Sequence, residues 1–275
     1  LEKGNEVIAT GKGGSRLSIS GYSNFYYEQM DFTDVNAVRQ VFARNQPDTV
    51  VHAGAISKPD ECELNRAAAF SVNVSGTENL LNAAEEHQSH FIFVSTDFVF
   101  DGNKGMYSES DTPSPVNYYG YTKLQAEDAV KKYSGNWSIA RTVLVYGRPV
   151  AGRDNIITRV KQKLERGEEY AVVNDQVRTP TFVEDLANGI TLIIEKNAEG
   201  IFHISGKDIM TPYEMAVCTA GLLGLDATLL RKVTAADFTE PARRPLKTGF
   251  VIDKAVRELG FQPLSFGEGL KRTLF

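Results

Sequence analysis

Cysteine is nearly absent from the chain. Its 275 residues contain two, Cys62 and Cys218, in unrelated contexts. Two cysteines make no disulfide framework and show no metal-ligand spacing, which points to a reducing, cytoplasmic compartment. Long apolar runs are missing too. No stretch approaches the ~20 residues that span a bilayer, and no signal peptide is visible at the start. Nor is there an excess of positive charge. The net charge of −5 and the pI near 5.5 exclude a global pull toward nucleic acid or an anionic membrane. Internal repeats and low-complexity linkers are lacking. What remains, 42% hydrophobic and 24% charged, is ordinary globular composition. The length suffices for one large α/β unit with a smaller lobe.

The chain starts on Leu1 rather than Met. Leu1-Glu2-Lys3-Gly4 reads as the last turn of a helix closed by Gly4, and Val7–Thr10 as a strand. From there short apolar strands alternate with amphipathic helices. Phe25–Met30 reads as a strand. Thr33 or Asp34 caps a helix with Val35, Val38, Val41 and Phe42 on one face. Thr49–Ala53 is a strand of the buried type. One long helical stretch then carries Phe70, Val74, Leu80, Leu81 and Ala84, and Phe91–Val94 is the next strand. Residues 98–117, rich in Gly, Pro, Ser, Asp and Asn, read as an active loop. Tyr118–Tyr133 is helical and Trp137–Thr142 is a strand. Beyond residue 143 the rhythm loosens into helix 154–166, strand 170–173, helix 183–195, strand 201–204 and a mostly helical tail. This βαβα order implies an α/β fold with a doubly wound parallel sheet covered on both faces. Such a sheet takes its ligand at the carboxyl ends of the strands, here Ala53-Gly54-Ala55, Ser95-Thr96-Asp97 and Arg141-Thr142.

The run Asn117–Lys123 holds a Tyr-x-x-x-Lys pair, Tyr119 and Lys123. Residues four apart on a helix share a face, with Cβ atoms about 5–6 Å apart. An ammonium beside a phenol stabilises the phenolate and lowers a tyrosine pKa from about 10, which makes Tyr119 a usable proton donor or acceptor. Tyr118 and Tyr121 are out of register with Lys123. Spacing alone more often means an exposed helix pair. Context adds a hydroxyl, because the preceding strand ends in Ser95-Thr96-Asp97. A strand-end hydroxyl with Tyr-x-x-x-Lys on the next helix makes a carbonyl-reducing set. Thr96 would bond the substrate oxygen, Tyr119 protonate it and Lys123 hold a nicotinamide ribose.

The surrounding motifs are more specific. Ser95-Thr96-Asp97-Phe98-Val99-Phe100-Asp101-Gly102 is followed by Tyr107-x-Glu109, Pro113-x-Pro115-x-Asn117, and Tyr119 through Lys123 to Glu127. With Asn174-Asp175-Gln176, Pro180-Thr181 and Arg244-Pro245, they resemble the dTDP-4-dehydrorhamnose reductase family of extended short-chain dehydrogenases/reductases, over essentially the whole chain. The resemblance implies a Rossmann-type fold that uses NADPH or NADH to reduce a 4-keto nucleotide sugar, with Thr96, Tyr119 and Lys123 as the catalytic group. Two positions depart from the pattern: Phe98, where the family often has Tyr, and Leu144, where it often has an aromatic residue. The stretch Gly200–Met215 also resembles the regulatory β subunit of methionine adenosyltransferase, which shares the fold and binds NADP. Two alternatives therefore stay open, a nucleotide-sugar epimerase and a non-catalytic NADP-binding subunit. Dehydration is disfavoured, because Thr96-Asp97 is followed by Phe98 rather than the glutamate that dehydratases use.

The cofactor signature itself is lacking. No G-x-G-x-x-G joins a strand to a helix. Gly11-Lys12-Gly13-Gly14 follows a strand, but the third glycine is absent and residues 15–24 have no apolar helical face. We therefore read Val7–Thr10 as the second strand and expect the first strand and glycine loop in roughly 20–25 residues upstream of Leu1. On that reading Lys12 and Arg16 follow the position that selects the cofactor. The absence of an acid there favours NADPH, unless both are simply solvated charges. Asp31 and Phe32 would flank adenine, and Ala53, Gly54, Ala55 and Ser95 would line the cofactor with Tyr119 and Lys123. Substrate contacts are expected from Thr96, Asp97, Phe98, Asn155, Asp175, Gln176 and Arg244. Asp97 alternatively orients the loop, and Asp175 and Gln176 alternatively form a turn. His52 and His203, in apolar strands, read as core histidines. The expected division is a dinucleotide-binding unit over 1–143 and 183–204 and a substrate lobe over 144–182 and 205–275. No metal cluster is visible, and a homodimer stays open.

Overall fold

The computed structural model describes residues 4–16, 19, 21–149 and 154–275. The helix turn expected over Leu1–Lys3 lies outside them. Strand β1 (Val7–Gly11) runs parallel to β2 (Phe25–Gln29), and among the described residues between them there is no helix. Helix α1 (Val35–Asn45) is capped by Asp34, whose carboxylate accepts from the Asn36 and Ala37 N–H groups. It buries Val38, Val41 and Phe42. Val35, expected on that face, stays exposed in the first turn.

After β3 (Thr49–His52) the expected single helix is broken into α2 (Pro59–Leu64), α3 (Arg66–Phe70) and α4 (Gly76–His87). Asn65, with φ −128° and ψ 61°, separates the first two. A π turn over Ser71–Ser75 separates the others, and such turns recur at functional sites. Phe70 consequently turns outward, while Val74, Leu80, Leu81 and Ala84 are buried. The chain continues through β4 (His90–Thr96), α5 (Tyr118–Val130), β5 (Trp137–Thr142), β6 (Val145–Tyr146), α6 (Ile156–Glu165), β7 (Tyr170–Val173), β8 (Thr181–Phe182), α7 (Val183–Glu195), β9 (Gly200–His203), α8 (Pro212–Leu223), β10 (Leu230–Val233) and α9 (Phe266–Leu274). The β10 segment lies in the tail expected to be mostly helical. It became a strand by pairing with β7, a partner some sixty residues away that local periodicity does not reveal.

Four strands form one parallel sheet in the order β3-β4-β5-β9. The β1–β2 pair is a separate ladder among the described residues, as are β7–β10 and β6–β8. Alternation along β4 loads both faces of the central sheet. Phe91 and Phe93 pack with Val38, Phe42, Leu80, Leu81 and Val130 from α1, α4 and α5. Ile92 points the other way, to Ile193, Phe202, Ile204 and Phe261. Each such side chain contributes roughly 1.5–3 kcal/mol on full burial. Two further cores, around Ile157, Phe182 and Met215 and around Val160, Val172 and Ala220, join α6, α8, α9, β7 and β10. No helix among the described residues is long and apolar enough to cross a membrane.

Candidate active site

The carboxyl end of β4 delivers Thr96, and a short 3-10 turn over Asp97–Val99 follows it. The Thr96 hydroxyl accepts from the Phe98 N–H at 3.2 Å and donates to Asp97 Oδ1 at 3.1 Å. Helix α5 begins beside this turn. Asn117 caps it by accepting from the Gly120 N–H at 2.9 Å, and its amide donates to the Arg243 carbonyl at 2.7 Å. Gly120 is required by close approach, since a Cβ there would run into the Phe98 carbonyl oxygen. That contact brings Tyr119 to the strand end. The Phe98 ring meets Tyr119 edge-on, with centroids 5.8 Å apart, and the Thr96 hydroxyl is among the groups that bear on the phenol.

Lys123 lies one turn deeper and is buried. Its Nζ donates to the Val94 carbonyl at 2.8 Å and stands 3.8 Å from the Phe93 ring centroid. Burial pulls its pKa down to about 7, against the attraction of the Glu127 charge. Burial pushes the Tyr119 phenol up, the Thr96 hydroxyl opposes that rise, and the Asp97 and Cys62 charges add to it. This corrects the expectation that Lys123 would lower the phenol. Both groups are driven toward their neutral forms, because desolvation is the largest influence on each. A tyrosine so placed is a proton donor rather than a resting phenolate.

The other expected residues divide into two groups. Lys12, Asp31, Phe32 and Gly54 come together at the β1–β2 side. Lys12 pairs with Asp31 at 2.9 Å. Lys12, Thr33 and burial together set the Asp31 pKa, with Lys12 the largest influence, at about 2. The Phe32 ring packs on Gly54, where a Cβ would lie 2.7 Å from it, and meets His52 edge-on at 5.0 Å. Ala53 and Arg16 are exposed and Ala55 is partly buried.

The second group is engaged internally. Ser95 points away from Thr96, because successive strand residues face opposite sides. Its hydroxyl donates to Glu127 Oε1 at 2.6 Å. Asp97 accepts from the Thr248 hydroxyl and lies 3.7 Å from Arg178 Nε, so it fastens the loop, and burial raises its pKa. Asn155 caps α6 and donates to the Gly147 carbonyl at 2.7 Å. Asp175 accepts from the Ala235 N–H, and Gln176 accepts from Arg178. Arg244 forks onto Asp60, with both contacts at 2.6 Å. For these residues a polar side chain on a loop had more to gain from an unpaired backbone or charged neighbour than from solvent.

Four further residues organise the site. Asn73, in the π turn, accepts from the Ile56 N–H at 2.8 Å and donates to Thr122 Oγ1 at 3.0 Å. It ties the loop after β3 to α5. Buried Arg178 donates to the carbonyls of Val177, Pro245 and Leu246, fixing residues 245–248 against Asp97. Thr248 and Asp60 complete that strap. Of these, Arg178 alone is legible in the sequence, where with Asp175 and Gln176 it reads as lining the sugar cleft or forming a turn. Leu144, beyond β5, holds φ at 36° and is 38% exposed, an uncommon conformation for a non-glycine residue. His52 is a buried core histidine, bonded to Thr77 at 3.0 Å. Burial, then the Lys123 charge, lowers its pKa to about 3.

A parallel sheet flanked by helices, with a strand-end hydroxyl and a Tyr-x-x-x-Lys pair on the following helix, defines a Rossmann-like α/β protein of the reductase type. Comparison with known proteins narrows this. The chain belongs to the RmlD substrate binding domain family, whose model matches residues 2–275. It is 32% identical over 256 residues to methionine adenosyltransferase 2 subunit beta of Bos taurus, covering 90% of this chain and 76% of that protein. It is 29% identical over 257 residues to dTDP-4-dehydrorhamnose reductase of Aggregatibacter actinomycetemcomitans, covering 89% and 86%. Among solved structures it resembles dTDP-4-dehydrorhamnose reductase from Bacillus anthracis in complex with NADP, with a TM-score of 0.87, 29% identity and 97% of each chain covered.

Proposed function

We propose that this chain reduces a 4-keto-6-deoxy nucleotide sugar, dTDP-4-dehydrorhamnose or a close relative, with NADPH. One observation carries the reading: Thr96 at the carboxyl end of β4 and Tyr119 on α5 flank the same Phe98 turn, with Lys123 buried one helical turn below. The named activity of its reductase relatives supports it.

The residues present fit a dinucleotide by the chemistry of their donors. Ala53 and Ala55 offer small side chains at a strand end, and Gly54 between them seats the Phe32 ring. Lys12 and Arg16 supply cations suited to a ribose phosphate, which favours NADPH over NADH. Asp31 and Phe32 would flank the adenine, and Lys123 would hold the nicotinamide ribose. When bound, the cofactor supplies the hydride. Thr96 orients the keto oxygen, and Tyr119 gives that oxygen its phenolic proton. The Lys123 ammonium then stabilises the phenolate left behind. Residues 1–143 with 183–204 form the cofactor side, and 144–182 with 205–275 the sugar side. Phe98 beside Tyr119 and Leu144 beyond β5 border the sugar, while Asp97, Asp175, Gln176 and Asn155 shape its walls from behind.

Purified protein given NADPH and the keto sugar should oxidise the cofactor, and Tyr119→Phe should slow turnover by about 10²–10⁴ fold with the melting temperature preserved. Equal rates for the two proteins would sink the assignment. The 32% identity to a methionine adenosyltransferase subunit favours one second reading, a partner subunit that binds NADP without turnover. Binding of NADPH with no reduction of any keto sugar would select it.

A further inference from the structure

Glu127 is fully buried beneath the candidate site. Ser95 Oγ donates to its Oε1 at 2.6 Å, Arg141 Nε to the same oxygen at 2.9 Å, and Arg141 Nη2 to Oε2 at 2.7 Å. Ser95 and Arg141 are register partners across the β4–β5 ladder, so one carboxylate on α5 bridges both strands at their carboxyl ends. Lys131 Nζ lies 3.9 Å from Oε2. The β4 contact adjoins groups of the site. Ser95 lies between Val94, whose carbonyl accepts the Lys123 ammonium, and Thr96. On the helix, Glu127 is one turn beyond Lys123 on the same face. A buried ion pair adds little stability over apolar residues of the same volume, so its value here lies in position and field.

We propose that Glu127 is a positioning residue for Tyr119 and Lys123. Clamped by Ser95 and Arg141, it fixes α5 against the ends of β4 and β5 and keeps a negative charge one turn behind the Lys123 ammonium. The proposal rests on the reductase reading above. The charged and titratable groups that bear on Lys123 or its partner phenol are Tyr119 and Glu127 on α5, His52 on β3, Asp97 after β4 and Cys62 on α2, with Arg141 on β5 acting through Glu127. Among them Glu127 favours the ammonium.

Three variants test this: Glu127→Gln, Glu127→Asp, and Glu127→Gln with Arg141→Met, which leaves no buried cation without its partner. Two quantities are read in each folded protein. One is the protonation midpoint of Lys123, from NMR of ¹³Cε-labelled lysine assigned with Lys123→Met. The other is the pH profile of kcat/KM. Without the carboxylate charge, Lys123 loses its proton at lower pH. We expect the midpoint and the basic limb of the profile both to move down by about one pH unit. Glu127→Asp keeps the charge and shortens the bridge. Its midpoint should stay near that of the parent, while kcat falls about ten-fold or more with KM little changed. A folded double variant with the parent's midpoint and kcat overturns the proposal. The NMR midpoint needs no turnover, so failure of the parent to reduce any keto sugar would remove the reductase reading and leave the role of Glu127 still decided.

Discussion

Replacing Lys123 by Met should stabilise the fold while removing activity. Lys123 is 3% exposed, with its ammonium over the Phe93 ring and hydrogen-bonded to the Val94 carbonyl. Burial moves its pKa from the ordinary 10.5 to about 7. At about 1.4 kcal/mol per pH unit, keeping the charged form costs about 5 kcal/mol. Methionine has similar length and no charge to desolvate. It forfeits the hydrogen bond and the cation–π contact, together about 1–3 kcal/mol. The net gain should be about 2–4 kcal/mol at pH 6, a rise of about 4–16 °C in Tm for a chain of this size.

The pH dependence has a definite sign. Below pH 7 the lysine is charged in both folded and unfolded chains, and the full penalty stands. Between 7 and 10.5 the unfolded chain holds a proton that the folded one has released, so the parent gains stability as pH rises. Above 10.5 the penalty is gone. The advantage of the Met variant should therefore be largest at pH 6, shrink through pH 8 and 10, and finally turn into the loss of one hydrogen bond. Thermal melts of both proteins at those three pH values measure it. A variant less stable than the parent at pH 6, or an advantage that stays flat with pH, refutes the reasoning.

Other perturbations follow from the same contacts. Gly120→Ala drives a methyl into the Phe98 carbonyl and should cost about 1–3 kcal/mol with loss of turnover; parent-like melting and rate would show that the turn can yield. Arg178→Met removes the cation beside buried Asp97 and should cost about 3–5 kcal/mol in urea denaturation, whereas a cost under about 1 kcal/mol would deny Arg178 its role as anchor of residues 245–248. Asp60→Asn weakens the fork from Arg244, which holds the Asp60 carboxyl below its usual range. Limited proteolysis near neutral pH should then cut residues 235–248 faster than in the parent, and an unchanged rate would mean that the contact does not hold the strap.

Local pattern determined much of this protein. Trp137–Thr142 and Val183–Glu195 occupy the spans their periodicity indicates, because alternation and helical spacing are properties of consecutive residues. The same holds for Tyr119 and Lys123, which four-residue spacing alone puts on one face of α5. Tertiary structure decided the polar partners. Ser95 reaches Glu127, Arg141 turns back to that carboxylate from the next strand, and Arg244 finds Asp60 from 184 residues away. Nothing near these residues in the chain announces such pairs. A buried donor or acceptor takes whatever partner the packed fold brings within about 3 Å: the packing of α5 on β4 and β5 joins Ser95, Arg141 and Glu127, and the approach of the loop after β10 to α2 joins Arg244 and Asp60. The protonation of Tyr119 and Lys123 belongs to the same class. Spacing makes them neighbours, but the depth at which the sheet buries them decides which one keeps its proton.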